Sequence, residues 1–259
     1  MDQIAVISDI HSNLPALEAV LADIKKRGID AIYCLGDLTG KGPDSIEVID
    51  ICREVCANVV MGNWDDDIVS LNLDTLIDKG WDRPGHMAWQ RRLLGTERLA
   101  YLGGLPNTIE LLVSGKRVRL FHASQQSVHQ RVLFGDESFK LRGMFENTPF
   151  TTFNQPEPDI VGYGDIHHAF MLPVEDKTLF NVGSVGNPMD YIPLAGYAIL
   201  KGKYDSTTPA PISIEIVRLP YDIDASLERA KAVDMPALAE YAFELRTANH
   251  RSQIHRQLK

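Results

Sequence analysis

The feature that most constrains this chain is an N-terminal strand that ends in Asp-x-His. Residues 3–11 read Gln-Ile-Ala-Val-Ile-Ser-Asp-Ile-His, and four apolar residues in a row are typical of a strand buried on both faces. Where such a strand gives way to a loop, the carboxylate of Asp9 and the imidazole of His11 can turn into one pocket. Both side chains are common ligands of divalent metals. Because Asp-x-His also arises by chance in surface turns, a metal site is expected only if the arrangement recurs.

The same arrangement does recur along the chain. Apolar residues at helical spacing lead to a second buried strand at 31–35, which ends in Asp37. Later apolar runs end in Asn63, in His122, and in the motif Gly-Asp-Ile-His-His at 164–168. Open parallel sheets bind ligands beyond the carboxyl ends of their strands, so we expect these polar side chains to meet at one edge. The expected donors are Asp9, His11, Asp37, Asn63, His122, Asp165 and His167.

This donor set indicates two metals rather than one. A single ion takes about four to six ligands, whereas seven donors with one shared carboxylate suit two ions about 3.5–4 Å apart. Mixed carboxylate, imidazole and amide donors favour Mn²⁺ or Fe, with Zn²⁺ as an alternative. The three cysteines, Cys34, Cys52 and Cys56, lack the Cys-x-x-Cys spacing of a structural zinc site. We interpret them as buried, reduced thiols.

Composition narrows the classes of partner. The chain has 259 residues, of which 44% are hydrophobic, enough for one large α/β domain or two small ones. Its net charge of −9 is a poor match for bulk nucleic-acid binding. No apolar run is long enough for a membrane span, and no secretion signal is recognised. We therefore expect a cytoplasmic protein without membrane contacts, in which metals supply the positive charge that an anionic substrate needs.

The segment 64–105 departs from the β-α-β pattern. We interpret it as a helical cap or lid over the mouth of the site. Its acidic run at 65–67 is typical of a solvated loop. Arg83, Arg91 and Arg92 are candidates to contact phosphate oxygens, and the alternative is that they are solvent-facing charges on helices.

Taken in order, these motifs resemble the calcineurin-like metallophosphoesterase superfamily. That family has Asp-x-His, Gly-Asp, Gly-Asn-His-(Asp/Glu), His and Gly-His-x-His, each after a strand. The loop at 181–186 also resembles a loop of the small bacterial branch, which contains phosphodiesterases and diadenosine polyphosphate hydrolases. In this chain the motifs stand as Asp9-Ile10-His11, Gly36-Asp37, Gly62-Asn63-Trp64-Asp65, His122 and Gly164-Asp165-Ile166-His167.

The resemblance implies an α/β fold of four layers, an α/β/β/α sandwich of two mixed β-sheets flanked by helices. It implies a single domain over 1–259, in which 64–105 forms the cap insertion and 236–259 a C-terminal helix and tail. We expect residues 250–259 to be frayed and solvated.

The resemblance also implies a role for each donor. Asp9, His11 and His167 would hold the first metal, and Asp37 would bridge the two. The second metal would be held by Asn63, His122 and Asp165. A hydroxide between the metals would attack phosphorus in line.

Two positions depart from the family pattern. Trp64 stands where the family usually has a histidine general acid, and Asp65 or His168 could substitute for it. Asp165 stands where the family has His, which puts the second metal in question more than the first. Asn13 and Asn63 are further candidates to contact the substrate.

The function implied is hydrolysis of phosphodiesters or nucleotide polyphosphates with two divalent metals, acting on a small phosphorylated or nucleotide substrate. Alternatives are a Ser/Thr-type protein phosphatase, a nuclease, or a non-catalytic protein-binding scaffold of the same fold. The negative net charge disfavours a nuclease. A non-catalytic scaffold would be expected to have lost metal ligands, whereas this chain has a ligand-type residue at every donor position. The oligomeric state is left open.

Overall fold

The computed structural model describes residues 1–70 and 82–254, without the side chains of 82–84. The strands in this part of the chain are β1 (Asp2–Ile7), β2 (Ala31–Cys34), β3 (Asn58–Val59), β4 (Thr108–Val113), β5 (Lys116–Phe121), β6 (Ile160–Tyr163), β7 (Phe170–Val174), β8 (Lys177–Asn181), β9 (Ala195–Gly202) and β10 (Ser213–Leu219). The helices are α1 (Leu14–Lys26), α2 (Ser45–Val55), α3 (Asn63–Ser70), α4 (Asp82–Gly103), α5 (Ser138–Gly143), α6 (Ile223–Ala232) and α7 (Leu238–Thr247), followed by a 3₁₀ turn at Arg251–Gln253.

The strands form two five-stranded mixed sheets. The first has the order β10-β9-β1-β2-β3, in which β1, β2 and β3 are parallel and β9 and β10 antiparallel to their neighbours. The second has the order β4-β5-β6-β8-β7, in which β5, β6 and β8 are parallel and the outer strands antiparallel. The parallel strands of each sheet thus present their carboxyl ends at one edge.

The alternation of side chains along β1 shows how the layers are built. Ile4 and Val6 lie in the cluster between the two sheets, with apolar residues of β5 and β9. Ala5 and Ile7 point the other way, into a cluster with α1 and α2. On the outer side of the second sheet, Phe145 and its neighbours cover β6 and β8. The predicted α/β/β/α sandwich is therefore confirmed.

The segment after β3 differs from its prediction. The acidic run at 65–67, interpreted as a solvated loop, lies in α3, where acidic residues in the first turn complement the helix dipole. Later in the segment, the helical span α4 is interrupted at Gly95, whose φ of 68° and ψ of 173° are not helical, so α4 consists of two helical pieces. Whether this region acts as a cap stays a prediction. In the described ranges, none of the helices is both long and apolar enough to cross a membrane.

Candidate metal centre

The loops that follow the parallel strands are joined to one another by backbone hydrogen bonds. Asp9 N–H donates to the carbonyl of Gly36 (3.0 Å), and His11 N–H donates to that of Asp37 (2.9 Å). In the second sheet, Gly164 N–H donates to the carbonyl of His122 (2.8 Å). These bonds hold the loops of neighbouring strands at fixed spacing, so the side chains they carry converge.

Two glycines allow the loops to approach this closely. A Cβ on Gly164 would lie 2.5 Å from Asp9 Oδ2, and a Cβ on Gly62 would lie 2.1 Å from the backbone nitrogen of Asp37. Both distances are far below van der Waals contact. The glycines of the motifs are thus explained by packing of one loop against another, and a side chain at either position would push the donors apart.

Five donor residues have a left-handed backbone conformation, with φ between 49° and 60°. Asp and His tolerate this region better than most residues, but it still costs energy. The left-handed turn directly after a strand reverses the direction of the chain and aims the side chain inward. The five residues are Asp9, His11, Asp37, Asp165 and His167.

Four donors form a compact, buried group. One ligand atom from each of Asp9, His11, Asp37 and His167 lies within 4.8 Å of all the others. His11 Nε2 lies 3.4 Å from Asp37 Oδ2, and His167 Nε2 lies 3.2 Å from Asp9 Oδ1. Each of these side chains is at most 5% exposed.

The tautomers of this group show that it fits a cation. Nδ1 of His11 lies 2.9 Å from the carbonyl of Thr39, and Nδ1 of His167 bonds to the carbonyl of Asn187. A carbonyl only accepts, so each Nδ1 carries a proton, and in the neutral form of each ring the Nε2 lone pair faces inward. The two Nε2 atoms lie 3.0 Å apart, and buried Asp9 Oδ1 accepts no hydrogen bond within the described residues. Acceptors gathered without donors are the arrangement that a divalent metal satisfies.

A second group of donors surrounds His122. Its Nδ1 lies 2.7 Å from the carbonyl of Leu35, which again turns Nε2 inward. That Nε2 lies 3.2 Å from Asn63 Oδ1, 3.6 Å from Asp37 Oδ1 and 4.0 Å from Asp165 Oδ1. Asp37 thus faces both groups, with one oxygen near His11 and the other near His122.

Burial perturbs the protonation of these side chains. It raises the pKa of Asp37 well above its usual range, with His122 opposing the rise and Asp9 adding to it. Burial alone would lower the pKa of His122, but the carboxylates of Asp37, Asp9 and Asp165 outweigh it and raise that pKa to about 9. Desolvation also lowers the pKa of His11 well below its usual value. The buried carboxylates therefore require positive charge, which divalent metals would supply.

Asp165 has a partner that the sequence analysis did not anticipate. Arg131 Nη2 donates to Asp165 Oδ1 at 2.8 Å, and Arg131 Nε donates to Asp165 Oδ2 at 3.0 Å. Asp165 N–H in turn donates to Asp9 Oδ2 at 3.1 Å. Asp165 therefore lies beside the predicted second site while a bidentate ion pair occupies both of its oxygens.

Asp65, a candidate acid, is engaged in a structural role. Its carboxylate accepts hydrogen bonds from the backbone N–H groups of Leu38 and Thr39 and from the Thr39 hydroxyl. It also accepts from Gly62 N–H at 3.3 Å, which is the capping-box contact at the start of α3. The side chain is fully buried. This geometry favours positioning of the 38–39 loop over proton transfer to a substrate.

Two of the candidates for substrate contact, Asn13 and Arg91, form hydrogen bonds within the protein. Asn13 is fully buried and caps α1; its amide oxygen accepts from Ala16 N–H, and its NH₂ group donates to the carbonyl of Gly186. Arg91 donates to the carbonyls of Ile68 and Val69 and so fastens α4 to the end of α3. Neither residue needs a substrate phosphate to satisfy its polar atoms.

The remaining candidates differ in what the structure describes. The side chain of Arg83 lies outside the described part of the chain. His168, the other candidate acid, is partly exposed, and its ring lies 5.0 Å from that of Phe134.

The sequence did not reveal a buried network of hydrogen bonds and ion pairs behind His167. Lys41 donates to Asn187 Oδ1 at 2.7 Å and lies 3.4 Å from Glu244 Oε2. Glu244 also binds the guanidinium of Arg251, which was predicted to be frayed. Asn187 directly follows the loop at 181–186 that resembles the bacterial branch, and this proximity was the one signal in the sequence.

Comparison with known proteins agrees with this geometry. The uncharacterized protein MJ0912 of Methanocaldococcus jannaschii is 35% identical over 240 residues, covering 87% of this chain and 90% of that protein. The structure of a metallophosphoesterase from Sphaerobacter thermophilus has a TM-score of 0.72 at 24% identity, with 95% of this chain and 99% of that chain covered. Hypothetical protein PH1004 from Pyrococcus horikoshii OT3 has a TM-score of 0.78 at 18% identity, with 96% and 100% covered. The two structures share the fold.

A match to a family model identifies the superfamily of the chain. The model of the calcineurin-like phosphoesterase superfamily domain matches residues 3–205, which include every donor of the metal centre. The chain therefore belongs to the calcineurin-like phosphoesterase superfamily and is a metal-dependent phosphoester hydrolase.

Proposed function

We propose that this protein hydrolyses nucleotide polyphosphates or phosphodiesters with two divalent metals, Mn²⁺ or Fe in preference to Zn²⁺. The observation that carries the proposal is the set of three buried imidazoles, each oriented by a backbone carbonyl so that its Nε2 faces the carboxylates of Asp9 and Asp37. When bound, two such metals lower the pKa of a water molecule and neutralise charge on the phosphoryl oxygens.

The chain's own residues position the chemistry. Asp37 is proposed to bridge the metals, which is supported by its oxygens lying 3.4 Å from His11 Nε2 and 3.6 Å from His122 Nε2. The backbone N–H of Trp64 donates to Asp37 Oδ1 at 2.8 Å and fixes the rotation of that carboxylate. The carbonyls of Thr39, Leu35 and Asn187 keep the protons of the imidazoles on the outer nitrogen.

Proton transfer to the leaving group is proposed to be weak. The side chain at position 64 is an indole, whose ring packs edge-on against His11 at 5.6 Å. An indole N–H is not an acid at neutral pH. His168 is the better of the two candidate acids, because Asp65 is buried in backbone hydrogen bonds. Substrates with good leaving groups, such as phosphoanhydrides, suit this site best.

An exposed aromatic side chain favours nucleotides within the substrate class. Phe134 is 50% exposed although it is large and apolar, and its ring contacts His168 and lies 5.9 Å from Phe170. His168 adjoins the proposed ligand His167 in sequence. A nucleobase could stack on Phe134 while its phosphates reach the metals.

The three thiols support the proposed cytoplasmic location. All three cysteines are free, and Cys34 and Cys56 lie close enough to Cys52 to help raise the pKa of its thiol. Thiols this close together persist best in a reducing compartment.

The test combines metal analysis with a substrate panel. We expect two metal equivalents per chain and, in Mn²⁺, faster hydrolysis of diadenosine tetraphosphate or bis(p-nitrophenyl) phosphate than of a phosphopeptide. Asp37→Asn should abolish turnover and lower the content of both metals, whereas Asp176→Asn on the exposed β7–β8 turn is the matched control. Full metal occupancy in Asp37→Asn would exclude the bridging role. A phosphopeptide as the best substrate would indicate a protein phosphatase, and a metal-loaded protein without turnover would indicate a scaffold.

A further inference from the structure

The pair of Arg131 and Asp165 lies at the edge of the metal centre. Asp165 Oδ1 is 4.0 Å from His122 Nε2 and 2.8 Å from Arg131 Nη2, so the guanidinium nitrogen is at most 6.8 Å, the sum of the two, from the imidazole. The Asp165 side chain is 4% exposed and that of Arg131 is 58% exposed. The pair therefore spans from the buried donors to solvent.

Asp165 and Arg131 differ in how many of their polar atoms have hydrogen-bond partners. Both oxygens of Asp165 accept from the guanidinium, and its backbone N–H binds Asp9. Within the described residues, Asp165 is the only acceptor for Arg131, which donates to it through Nε and Nη2. An arginine has five N–H donors, and Nη1 of Arg131 has no acceptor among the described residues. The arrangement is that of an oriented cation with spare donors beside a metal centre.

The backbone that carries Arg131 is held in place. The side chain of Val132 is 3% exposed and packs beneath β6. The carbonyl of Val132 accepts a hydrogen bond of 2.8 Å from the Tyr163 hydroxyl. Tyr163 ends β6, two residues before Asp165. Arg131 is thus fixed to the same strand end as its partner, which limits the entropy lost when it binds a ligand.

From this geometry we propose that Asp165 anchors Arg131 and that Arg131 binds a phosphate oxygen of the substrate. The proposal rests on the phosphoesterase function above and narrows its substrate class. The ion pair is neutral overall, so Asp165 adds no net negative charge to the metal centre. A guanidinium matches the oxygens of a phosphate group in geometry and charge. The site then favours a phosphate that has a neighbouring phosphate group, as in a nucleotide polyphosphate, over a simple diester.

The proposal changes the expected ligand set. A carboxylate that accepts two charge-assisted hydrogen bonds has less capacity to ligate a metal. Asp37, Asn63 and His122 would then hold the second metal without Asp165. Metal content and phosphate affinity therefore separate the two roles of Asp165.

The experiment is calorimetric titration of the Mn²⁺-loaded protein with inorganic phosphate, beside elemental analysis. We expect Arg131→Gln to weaken phosphate binding about tenfold or more with both metals retained, and Arg131→Lys to recover part of the loss. Asp165→Asn should weaken phosphate binding in the same way and also retain both metals. In the Arg131→Gln background, Asp165→Asn should add nothing, because Asp165 acts through Arg131. Arg142→Gln, which breaks an ion pair with Glu157, is the matched control and should change neither quantity.

The same variants should alter specificity. Arg131→Gln is expected to lower kcat/KM for diadenosine tetraphosphate more than for bis(p-nitrophenyl) phosphate. Unchanged phosphate affinity in Arg131→Gln would overturn the proposal, as would loss of one metal in Asp165→Asn, or a metal-loaded wild type that does not bind phosphate. Phosphate affinity is measured without turnover, so this result is distinguishable from failure of the proposed activity.

Discussion

The Nε2 atoms of His11 and His167 lie 3.0 Å apart and face each other as acceptors. Each ring is held by a hydrogen bond from Nδ1 to a backbone carbonyl, so neither can turn a proton inward without losing that bond. With both rings neutral, the folded chain keeps two buried lone pairs in contact. Such a pair is stable when a cation lies between the rings.

Metal binding should therefore stabilise the fold. Addition of Mn²⁺ at a hundredfold excess over its Kd should raise the free energy of unfolding by about 2.7 kcal/mol for each site that it fills, measured by urea denaturation against a chelator-treated sample. In His167→Ala the contribution of the first site should disappear. The exposed His129, which pairs with Asp66, supplies the control His129→Ala, which should keep the gain. A full gain in His167→Ala would remove His167 from the ligand set.

The leaving group should control the rate, because Trp64 occupies the position of the family's acid. Across a series of substituted phenyl phosphodiesters, log kcat/KM should fall steeply as the pKa of the leaving phenol rises. Trp64→His should make the dependence shallower. A flat dependence in the wild type, with chemistry rate-limiting, would reveal an acid elsewhere, and His168→Gln is the first variant to examine then.

Glu244 should contribute strongly to stability although it is not one of the proposed metal ligands. Burial would raise its pKa, but Lys41 and Arg251 outweigh this effect and hold the pKa at about 2. Glu244→Gln leaves the buried Lys41 with a neutral partner and should lower the free energy of unfolding by about 3–5 kcal/mol. The exposed pair of Glu228 and Lys231 is the control, and Glu228→Gln should cost less than about 1 kcal/mol.

Because Asn187 joins this network to His167, Glu244→Gln should also weaken metal binding. The side chain of Asn187 contacts both Lys41 and Glu244, and its carbonyl orients the His167 ring. Metal titrations of the folded variant measure this effect. Wild-type metal affinity in Glu244→Gln would show that the network only supports stability.

His86 should make the fold sensitive to acid. Burial lowers its pKa to about 4, opposed by the carbonyl of Pro236, and its Nε2 has no hydrogen-bond partner within the described residues. Between pH 6.5 and 4 the unfolded chain binds the proton more readily, so stability is lost as the pH falls through this window. The lowered pKa of His86 should decrease the free energy of unfolding by about 3 kcal/mol between pH 7 and pH 4.

The variant His86→Leu isolates that contribution. Its loss of unfolding free energy between pH 7 and 4 should be about 3 kcal/mol smaller than that of the wild type. Both proteins are measured in chelator, so that proton competition for metal ligands does not enter. An equal loss in both proteins would assign the acid sensitivity to other groups.

The sequence predicted the position of the donors well, because each follows a strand within a few residues. A buried strand is recognisable from its apolar run, and Asp9 or His122 needs only the local turn to reach the sheet edge. The sandwich of two mixed sheets followed from the family resemblance carried by these motifs, and the structure confirms it.

The roles of individual polar residues were harder to predict. Asp65 was considered for acid catalysis and its neighbourhood for solvated loop, yet it closes a capping box and supports the loop after β2. Asn13 was considered for substrate contact and instead caps α1. In both cases the residue type suited either role, and only the surrounding backbone N–H groups decided between them.

The sequence by itself determined the sheet edge at which the chemistry lies, the type of donor at each strand end, and the absence of the usual histidine at Trp64. Only the tertiary structure decided that Arg131 pairs with Asp165 and that Lys41 pairs with Glu244. The physical reason is distance along the chain: a donor beside its own strand is placed by local hydrogen bonds, whereas these pairs join segments 34 and 203 residues apart. Their contacts exist because the sheets and the C-terminal helix pack together, and no local pattern of residues encodes that packing.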